Sequence, residues 1–271
     1  MERGMEESEF QAMLDESQRH WWYRGRRRIV CDTLDGLRPP PSTRILDAGC
    51  GSGAMLDELA RYGEITGVEP HPLGVAAAHR AGHPRVVRAR VEELPFAAAS
   101  FELVTCLDVI EHTPDDGLAL RELHRVTVPG GHLVVTVPAY PALWSQHDVV
   151  NGHHRRYVRR TLMSAAVDAG WRPLRDSHFN TFFLLPAALV RIAFKGQGER
   201  QRRSELALTP RSLDAILEIP LRLEAALLRR GVRLPAGLSL LAVFERPKSD
   251  ARASRLSSAA APRRASRLQA G

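Results

Sequence analysis

The chain has 271 residues, of which 44% are hydrophobic and 25% charged, a composition typical of a folded protein with one sizeable core. Its formal net charge is +7, but residues 246–271 hold seven Arg or Lys and one Asp, so the body is nearly neutral. This distribution argues against a nucleic-acid-binding protein. The last stretch has no aromatic residue and no apolar periodicity, which predicts a disordered basic tail over residues 247–271.

The cysteines and the apolar runs point to a cytoplasmic protein. Cys31, Cys50 and Cys106 are dispersed and form no C-x-x-C pair, which predicts neither a disulfide framework nor a zinc knuckle. The polar start MERGMEESEF lacks a signal-peptide pattern, and the longest apolar run, Phe182–Val190, is too short to span a bilayer.

The first predicted element is an N-terminal helical lid over residues 1–40. Apolar residues recur there at roughly helical spacing, namely Phe10, Met13, Leu14, Trp21 and Trp22, and arginines follow at Arg24, Arg26, Arg27 and Arg28. Such a helix either packs against the core or closes over a ligand site, and both alternatives stay open. The arginines are candidates to hold a ligand carboxylate or an acidic substrate.

A glycine loop follows in the stretch RILDAGCGSGAMLDELARYGEITGVEP (Arg44–Pro70). Gly49, Gly51 and Ala54 fit the dinucleotide pattern G-x-G-x-x-G/A, and Glu69 stands near the place of its ribose-binding acid. The same letters also read D-x-G-x-G-x-G, a loop that holds S-adenosylmethionine. Two cofactors therefore compete for this loop.

Charge decides between the two cofactors. A carboxylate at Asp47, two residues before the first glycine, would repel the pyrophosphate of a dinucleotide. S-adenosylmethionine instead carries a sulfonium and an ammonium, which a carboxylate stabilises. Glu69 can accept hydrogen bonds from the ribose of either cofactor, so it does not discriminate. The loop thus favours S-adenosylmethionine.

Downstream, predicted strands alternate with helical segments, which indicates a doubly wound α/β sheet. The strands read RVVRA, FELVTCL, GGHLVVTVP, WRPLRDSHF and LSLLAVFERP, and the helix DDGLALRELHRV precedes the third of these. Ligands collect at the carboxyl ends of strands in such sheets. We therefore expect Asp47, Glu69, Leu107 and Pro138 to lie at one edge.

The stretch from about Arg44 to Trp171 resembles the class I S-adenosylmethionine-dependent methyltransferases. The resemblance rests on the glycine loop and on Leu94-Pro95-Phe96, Glu111-His112 and Pro129-Gly130-Gly131. It implies a Rossmann-like, seven-stranded sheet with an antiparallel last strand. The core would then comprise residues 41–180, with the last strand at 237–246.

The resemblance also implies a set of cofactor-binding residues. Where many members of the family carry an adenine-binding acid before the Leu-Pro-Phe, this chain has Arg90-Val91 and then Glu92. Adenine recognition would then pass to Glu92 or to the backbone around Val91. The predicted cofactor residues are Asp47, Gly49, Gly51, Gly53, Glu69, Pro70, Val91, Glu92 and Leu107.

The loop WSQHDVVNGHHRRY (Trp144–Tyr157) follows the predicted strand GGHLVVTVP, and an acceptor is expected to bind there. His147 and His153 are the candidate catalytic bases, and Asp148, Arg156 and Tyr157 the candidate substrate-binding residues. Structural hydrogen bonding is one alternative. A metal site built from His147, Asp148, His153 and His154 is another, but the loop matches no familiar pattern, so no metal is predicted. His112 is expected to pack and to cap the next helix.

Residues 181–236 form a predicted helical insertion before the last strand. Its two apolar helices need a cover, which is the N-terminal helix, a second copy of the chain in a homodimer, or a membrane surface. Flanking Arg191, Lys195, Arg202 and Arg203 are candidates to meet anionic lipid headgroups.

These features predict a methyltransferase that moves a methyl group from S-adenosylmethionine to a small-molecule or lipid-linked acceptor. HWWYRGRR and the histidine loop resemble a subgroup linked with polar-lipid, glycoside or specialised metabolism. A NAD(P)-dependent oxidoreductase and a catalytically silent S-adenosylmethionine-binding partner protein remain as alternatives. Whether oxygen, nitrogen or carbon is methylated stays open.

Overall fold

The computed structural model describes residues 20–193 and 213–248. Its strands are β1 (Thr43–Ala48), β2 (Gly63–Val68), β3 (Val86–Val87), β4 (Phe101–Leu107), β5 (Thr127–Pro138), β6 (Arg172–Phe179) and β7 (Ser239–Glu245). Its helices are α1 (Trp21–Leu37), α2 (Leu56–Leu59), α3 (Pro72–Arg80), α4 (Asp116–Val126), α5 (Gln146–Val150), α6 (Arg159–Asp168), α7 (Leu184–Ala193) and α8 (Asp214–Arg229). Two 3₁₀ turns lie at Ile110–His112 and Pro141–Leu143.

The seven strands form one sheet in the order β3-β2-β1-β4-β5-β7-β6, which confirms the predicted fold class. Strands β1 to β5 pair in parallel, and β7 runs antiparallel to both β5 and β6. The chain leaves β1 toward β3 and then returns to β4 on the other side of β1. This reversal opens a crevice at the carboxyl ends of β1 and β4, where doubly wound sheets bind ligands.

Helices cover both faces of the sheet because successive strand residues point in opposite directions. Leu46 packs on one face with Leu120 of α4 and Leu162 of α6. Its neighbour Ile45 packs on the other face with Ile29 of α1 and Leu228 of α8. The N-terminal helix and the second helix of the insertion therefore share one layer.

Helices α1 and α8 cross closely. A Cβ added to Gly25 would lie 2.1 Å from Leu221 Cδ1, so only glycine admits this approach. An ion pair between Arg24 and Glu218 joins the helices at 2.8 Å, and the rings of Trp21 and Phe183 lie 4.7 Å apart. The N-terminal helix thus covers one face of α8, while its lid function stays a prediction.

Another face of the insertion is exposed. Leu185 is 73% exposed and Leu189 67%, and the exposed apolar residues of α8 are Ile216, Ile219 and Leu223. The predicted linker between the helices and the predicted tail beyond Lys248 lie outside the described residues, as do Phe10, Met13 and Leu14. No described helix is long and apolar enough to cross a membrane.

Strand β5 begins earlier than predicted. It runs from Thr127 through the Pro-Gly-Gly segment, whereas the predicted strand GGHLVVTVP begins at Gly130. The N–H of Gly130 donates to the carbonyl of Arg246 at 2.7 Å, and the N–H of Arg246 donates to Gly131 at 2.9 Å. These bonds to the end of β7 hold the segment extended.

Candidate cofactor and acceptor site

Asp47 lies at the carboxyl end of β1 and is buried. The register of the sheet places Thr105 of β4 beside it, and the Thr105 hydroxyl donates to Asp47 Oδ1 at 2.6 Å. Burial raises the pKa of Asp47 to about 6, against the opposing effects of the Thr105 hydrogen bond and the Arg26 charge. Burial destabilises the ionised form of Asp47, and a cation bound beside the carboxylate would stabilise that form.

The glycine loop after β1 requires its glycines. Gly49, Gly51 and Gly53 have φ values of 81°, 56° and 86°, in the left-handed region that favours glycine. A Cβ on Gly49 would also lie 2.4 Å from Val109 Cγ2. The N–H groups of Gly49 and Cys50 both donate to the Val68 carbonyl, so the loop is tied to β2. The backbone can therefore approach a ligand without a side chain between them.

Glu69 follows β2 and is held by backbone amides. The N–H of Gly51 donates to Oε2 at 2.9 Å and that of His71 to Oε1 at 2.8 Å. Burial raises the pKa of Glu69, and these amide bonds partly offset the effect. Each carboxylate oxygen has a second lone pair, so both can still accept hydrogen bonds from ribose hydroxyls. A Cβ on Gly74 would lie 2.6 Å from Glu69 Cγ, so this glycine, which we did not predict, makes room for the acid.

The other predicted cofactor residues differ in burial and in contacts. Val91 and Leu107 are buried, and Glu92 is mostly buried with its carboxylate 3.5 Å from Arg90 Nη2. Pro70 is exposed and its carbonyl accepts a hydrogen bond from Arg88. Their contact with a cofactor stays a prediction.

Arg26 is the arginine of α1 that reaches the crevice. Its guanidinium pairs with Asp108, the residue after β4, and lies 5.0 Å from the ring centre of Trp22. Its charge acts on both Asp47 and Glu111, and its Nε is buried without a hydrogen-bond partner among the described residues. The sequence showed a cluster of four arginines but not which one faces the site.

Asp148 organises the histidine loop. It is fully buried, and its carboxylate accepts hydrogen bonds from Ser145 N at 2.8 Å, His153 Nδ1 at 2.8 Å and Arg156 Nε at 2.7 Å. Burial alone would raise the pKa of Asp148, but these bonds and the Arg156 charge together lower it. The Tyr157 hydroxyl donates to Asp116 Oδ2 at 2.7 Å. Asp148, Arg156 and Tyr157 therefore hold the loop in place, and their predicted contact with substrate stays a prediction.

The two candidate bases lie in a cluster of histidines. The ring centre of His153 is 4.6 Å from that of His112 and 6.1 Å from that of His147. Burial lowers the pKa of His112 to about 3, so this ring stays neutral. Its predicted capping role is wrong, because Asp115 caps α4 by accepting a hydrogen bond from Leu118 N at 2.9 Å.

Glu111 is the polar residue whose position the sequence did not reveal. It is fully buried in the 3₁₀ turn after β4, and within the described part of the chain neither carboxylate oxygen has a hydrogen-bond partner. Burial raises the pKa of Glu111 well above its ordinary value, and the Asp108 charge adds to the effect. The Glu-His pair directly after a strand was its only signal in the sequence.

Comparisons with known proteins agree with this geometry. A family described as a methyltransferase domain matches residues 46–135. The chain is 39% identical over 109 residues to the ubiquinone biosynthesis O-methyltransferase of Paracidovorax citrulli, covering 36% of this chain and 44% of that protein. It is 31% identical over 154 residues to the same enzyme of Sodalis glossinidius, covering 49% and 61%. The chain thus spans about half the length of the curated relatives it matches.

Among solved structures, the chain is similar to one chain of the Haloferax volcanii complex between the Trm112 methyltransferase activator and a methyltransferase. The TM-score is 0.59 at 20% identity, and the match covers 88% of this chain and 98% of the other. At this identity the similarity establishes only the fold. It agrees with the strand order of the sheet described above.

Proposed function

We propose that this chain, whose residues 46–135 match a methyltransferase domain, is a class I S-adenosylmethionine-dependent methyltransferase that methylates an oxygen atom of a small-molecule or lipid-linked acceptor. The buried Asp47 carboxylate beside the glycine loop carries the proposal, since it favours a cationic cofactor over a dinucleotide. The names of the curated relatives, which are O-methyltransferases, support oxygen as the acceptor atom.

The described residues fit this cofactor. Asp47 would hold the ammonium, Glu69 the ribose hydroxyls, and Arg26, with its unpartnered Nε, the carboxylate. When bound, S-adenosylmethionine supplies the methyl group by direct displacement at its carbon. The chain's own contribution is to align the acceptor and to exclude water.

A hydroxyl acceptor loses a proton as it is methylated, so a base is needed. His147 is our candidate, because its ring is partly exposed and lies at the rim of the histidine cluster. His153 is the alternative, and its Nδ1 is already hydrogen-bonded to Asp148. The half-exposed loop around these rings would receive the acceptor.

The exposed apolar face of the insertion suggests how an apolar acceptor would arrive. Leu185, Leu189 and Ile216 are all more than half exposed, and they lie on the helices that adjoin α1. We propose that this face guides an apolar or membrane-held acceptor toward the site. Sedimentation with anionic and neutral vesicles, beside a mass measurement in solution, separates a membrane contact from a homodimer.

Thermal shifts and turnover test the proposal. S-adenosylmethionine and its demethylated product should raise the melting temperature, because a ligand at a hundred times its Kd adds about 2.7 kcal/mol. Nicotinamide dinucleotides should not, and stabilisation by NAD instead would favour the oxidoreductase alternative. Mass spectrometry of candidate acceptors should then show products heavier by one methylene. Cofactor binding without any such product would favour the alternative function, a catalytically silent partner protein.

A further inference from the structure

The carboxyl group of Glu111 is buried in the turn after β4. Neither oxygen accepts a hydrogen bond within residues 20–193 and 213–248. The two nearby cations that act on it, Arg26 and Arg156, are paired with Asp108 and Asp148. An ionised carboxylate in such a position is costly unless it is paired or bound to a metal.

Two imidazoles face this carboxylate. One ring nitrogen of His112, one of His153 and one carboxylate oxygen of Glu111 all lie within 4.8 Å of one another. They come from two segments, since Glu111 and His112 follow β4 whereas His153 follows α5. The fold thus brings three possible ligand atoms to one point.

Each of the two histidines already has one hydrogen-bond partner. His153 donates from Nδ1 to Asp148 at 2.8 Å, which leaves Nε2 available, and His112 is hydrogen-bonded to the backbone of Asn151. Metal-binding histidines commonly have their second nitrogen held by a carboxylate or a backbone carbonyl. Asp148 would therefore be a positioning residue for the site.

We propose that Glu111, His112 and His153 bind a divalent transition-metal ion. Two imidazoles and one carboxylate suit Zn²⁺, Fe²⁺ or Co²⁺ better than Mg²⁺, which prefers oxygen ligands. The ion balances the charge of Glu111. Three protein ligands leave a coordination position for water or for an oxygen of a bound molecule. This site differs from the histidine-loop site weighed from the sequence, because Glu111 and His112 lie outside that loop.

Co²⁺ is the probe for the test, because its visible absorption reports on its ligands. The full-length protein is stripped with a chelator and titrated with Co²⁺ and with Zn²⁺. The wild type should show a saturable visible band and a higher melting temperature with either ion. Glu111→Gln and His112→Gln should each weaken binding by more than about a hundredfold, since even residues behind the ligands commonly change affinity by about 10–100-fold.

The matched control is His154→Ala, which removes an exposed neighbouring imidazole and should bind Co²⁺ as the wild type does. Glu111→Gln keeps the shape of the side chain, so the metal-free variant should fold and melt close to the wild type. A Co²⁺ response that is absent from the wild type, or unchanged in both variants, overturns the proposal. The thermal shift with S-adenosylmethionine is measured on the same samples, so failure of the metal site is distinguished from failure of the cofactor site.

Discussion

The cofactor half and the acceptor half of the site are built in different ways. Glu69 is held by two backbone amides, and Asp47 lies beside Thr105 of the neighbouring strand. The glycine loop and the register of the sheet therefore position these two carboxylates. Around Asp148, the partners lie in its own loop, and two of the three are the side chains of His153 and Arg156. The cofactor half should therefore tolerate loss of one group, while the acceptor half should depend on its central carboxylate.

Loss of Asp148 should have the largest effect. Asp148→Ala leaves the buried Arg156 guanidinium without its carboxylate, and removal of one partner from a buried ion pair costs about 3–5 kcal/mol. Denaturant unfolding measures the loss, and Asp148→Asn, which keeps an acceptor oxygen, should lose less. If both variants unfold like the wild type, the network does not hold the loop.

The candidate bases test the acceptor half by its chemistry. His147→Ala or His153→Ala should lower turnover by about a hundredfold or more, because a positioned base contributes about 10²–10⁴-fold. The affinity for S-adenosylmethionine, measured by calorimetry, should stay near that of the wild type. Near-normal turnover in both variants would mean that the loop is structural or that the acceptor needs no base.

Loss of Glu69 should affect the cofactor half alone. Glu69→Ala should weaken S-adenosylmethionine binding by about 1–3 kcal/mol, the cost of losing hydrogen bonds to a charged group. Calorimetric titration gives the affinity, and Glu64→Ala, at the exposed start of β2, serves as the control. Equal affinities in the two variants would contradict a ribose contact at Glu69.

Cofactor affinity should fall in acid because of Asp47, whose pKa burial raises to about 6. The cation binds the ionised form, so Kd should rise about tenfold for each pH unit below about 6. The raised pKa also stabilises the ligand-free fold at a pH below the ordinary pKa of an Asp side chain. This contribution to the free energy of unfolding is lost as the pH rises through about 6. Asp47→Asn should bind the cofactor weakly, and its Kd should depend less on pH. If the pH dependence of Kd is unchanged in this variant, a group other than Asp47 takes up the proton.

The contact between α1 and α8 should give the smallest effect. The Arg24 side chain is 39% exposed, so Arg24→Ala should cost at most about 1 kcal/mol despite its ion pair with Glu218. Gly25→Ala is the contrast, because its Cβ would meet Leu221 and force the helices apart. Denaturant unfolding compares the two, and equal losses would contradict the close crossing.

The sequence alone determined the strands, the glycine loop and the preference for S-adenosylmethionine. These features depend on short-range information: short apolar runs, glycines that allow positive φ, and the charge of Asp47 beside them. The antiparallel last strand followed from a family resemblance rather than from any local pattern. The start of β5 was missed because bonds to Arg246, far along the chain, hold the Pro-Gly-Gly segment extended.

Only the tertiary structure decided which polar groups meet. Arg26 pairs with Asp108 across 82 positions of the chain, and the Thr105 hydroxyl reaches Asp47 across 58. Glu111 and His112 meet His153 only because the loop after β5 folds back against the turn that follows β4 and is held by Asp148. Contacts between side chains that are distant in the sequence leave no periodic pattern in it. Their energies depend on which surfaces the core brings together and on how far the core excludes water.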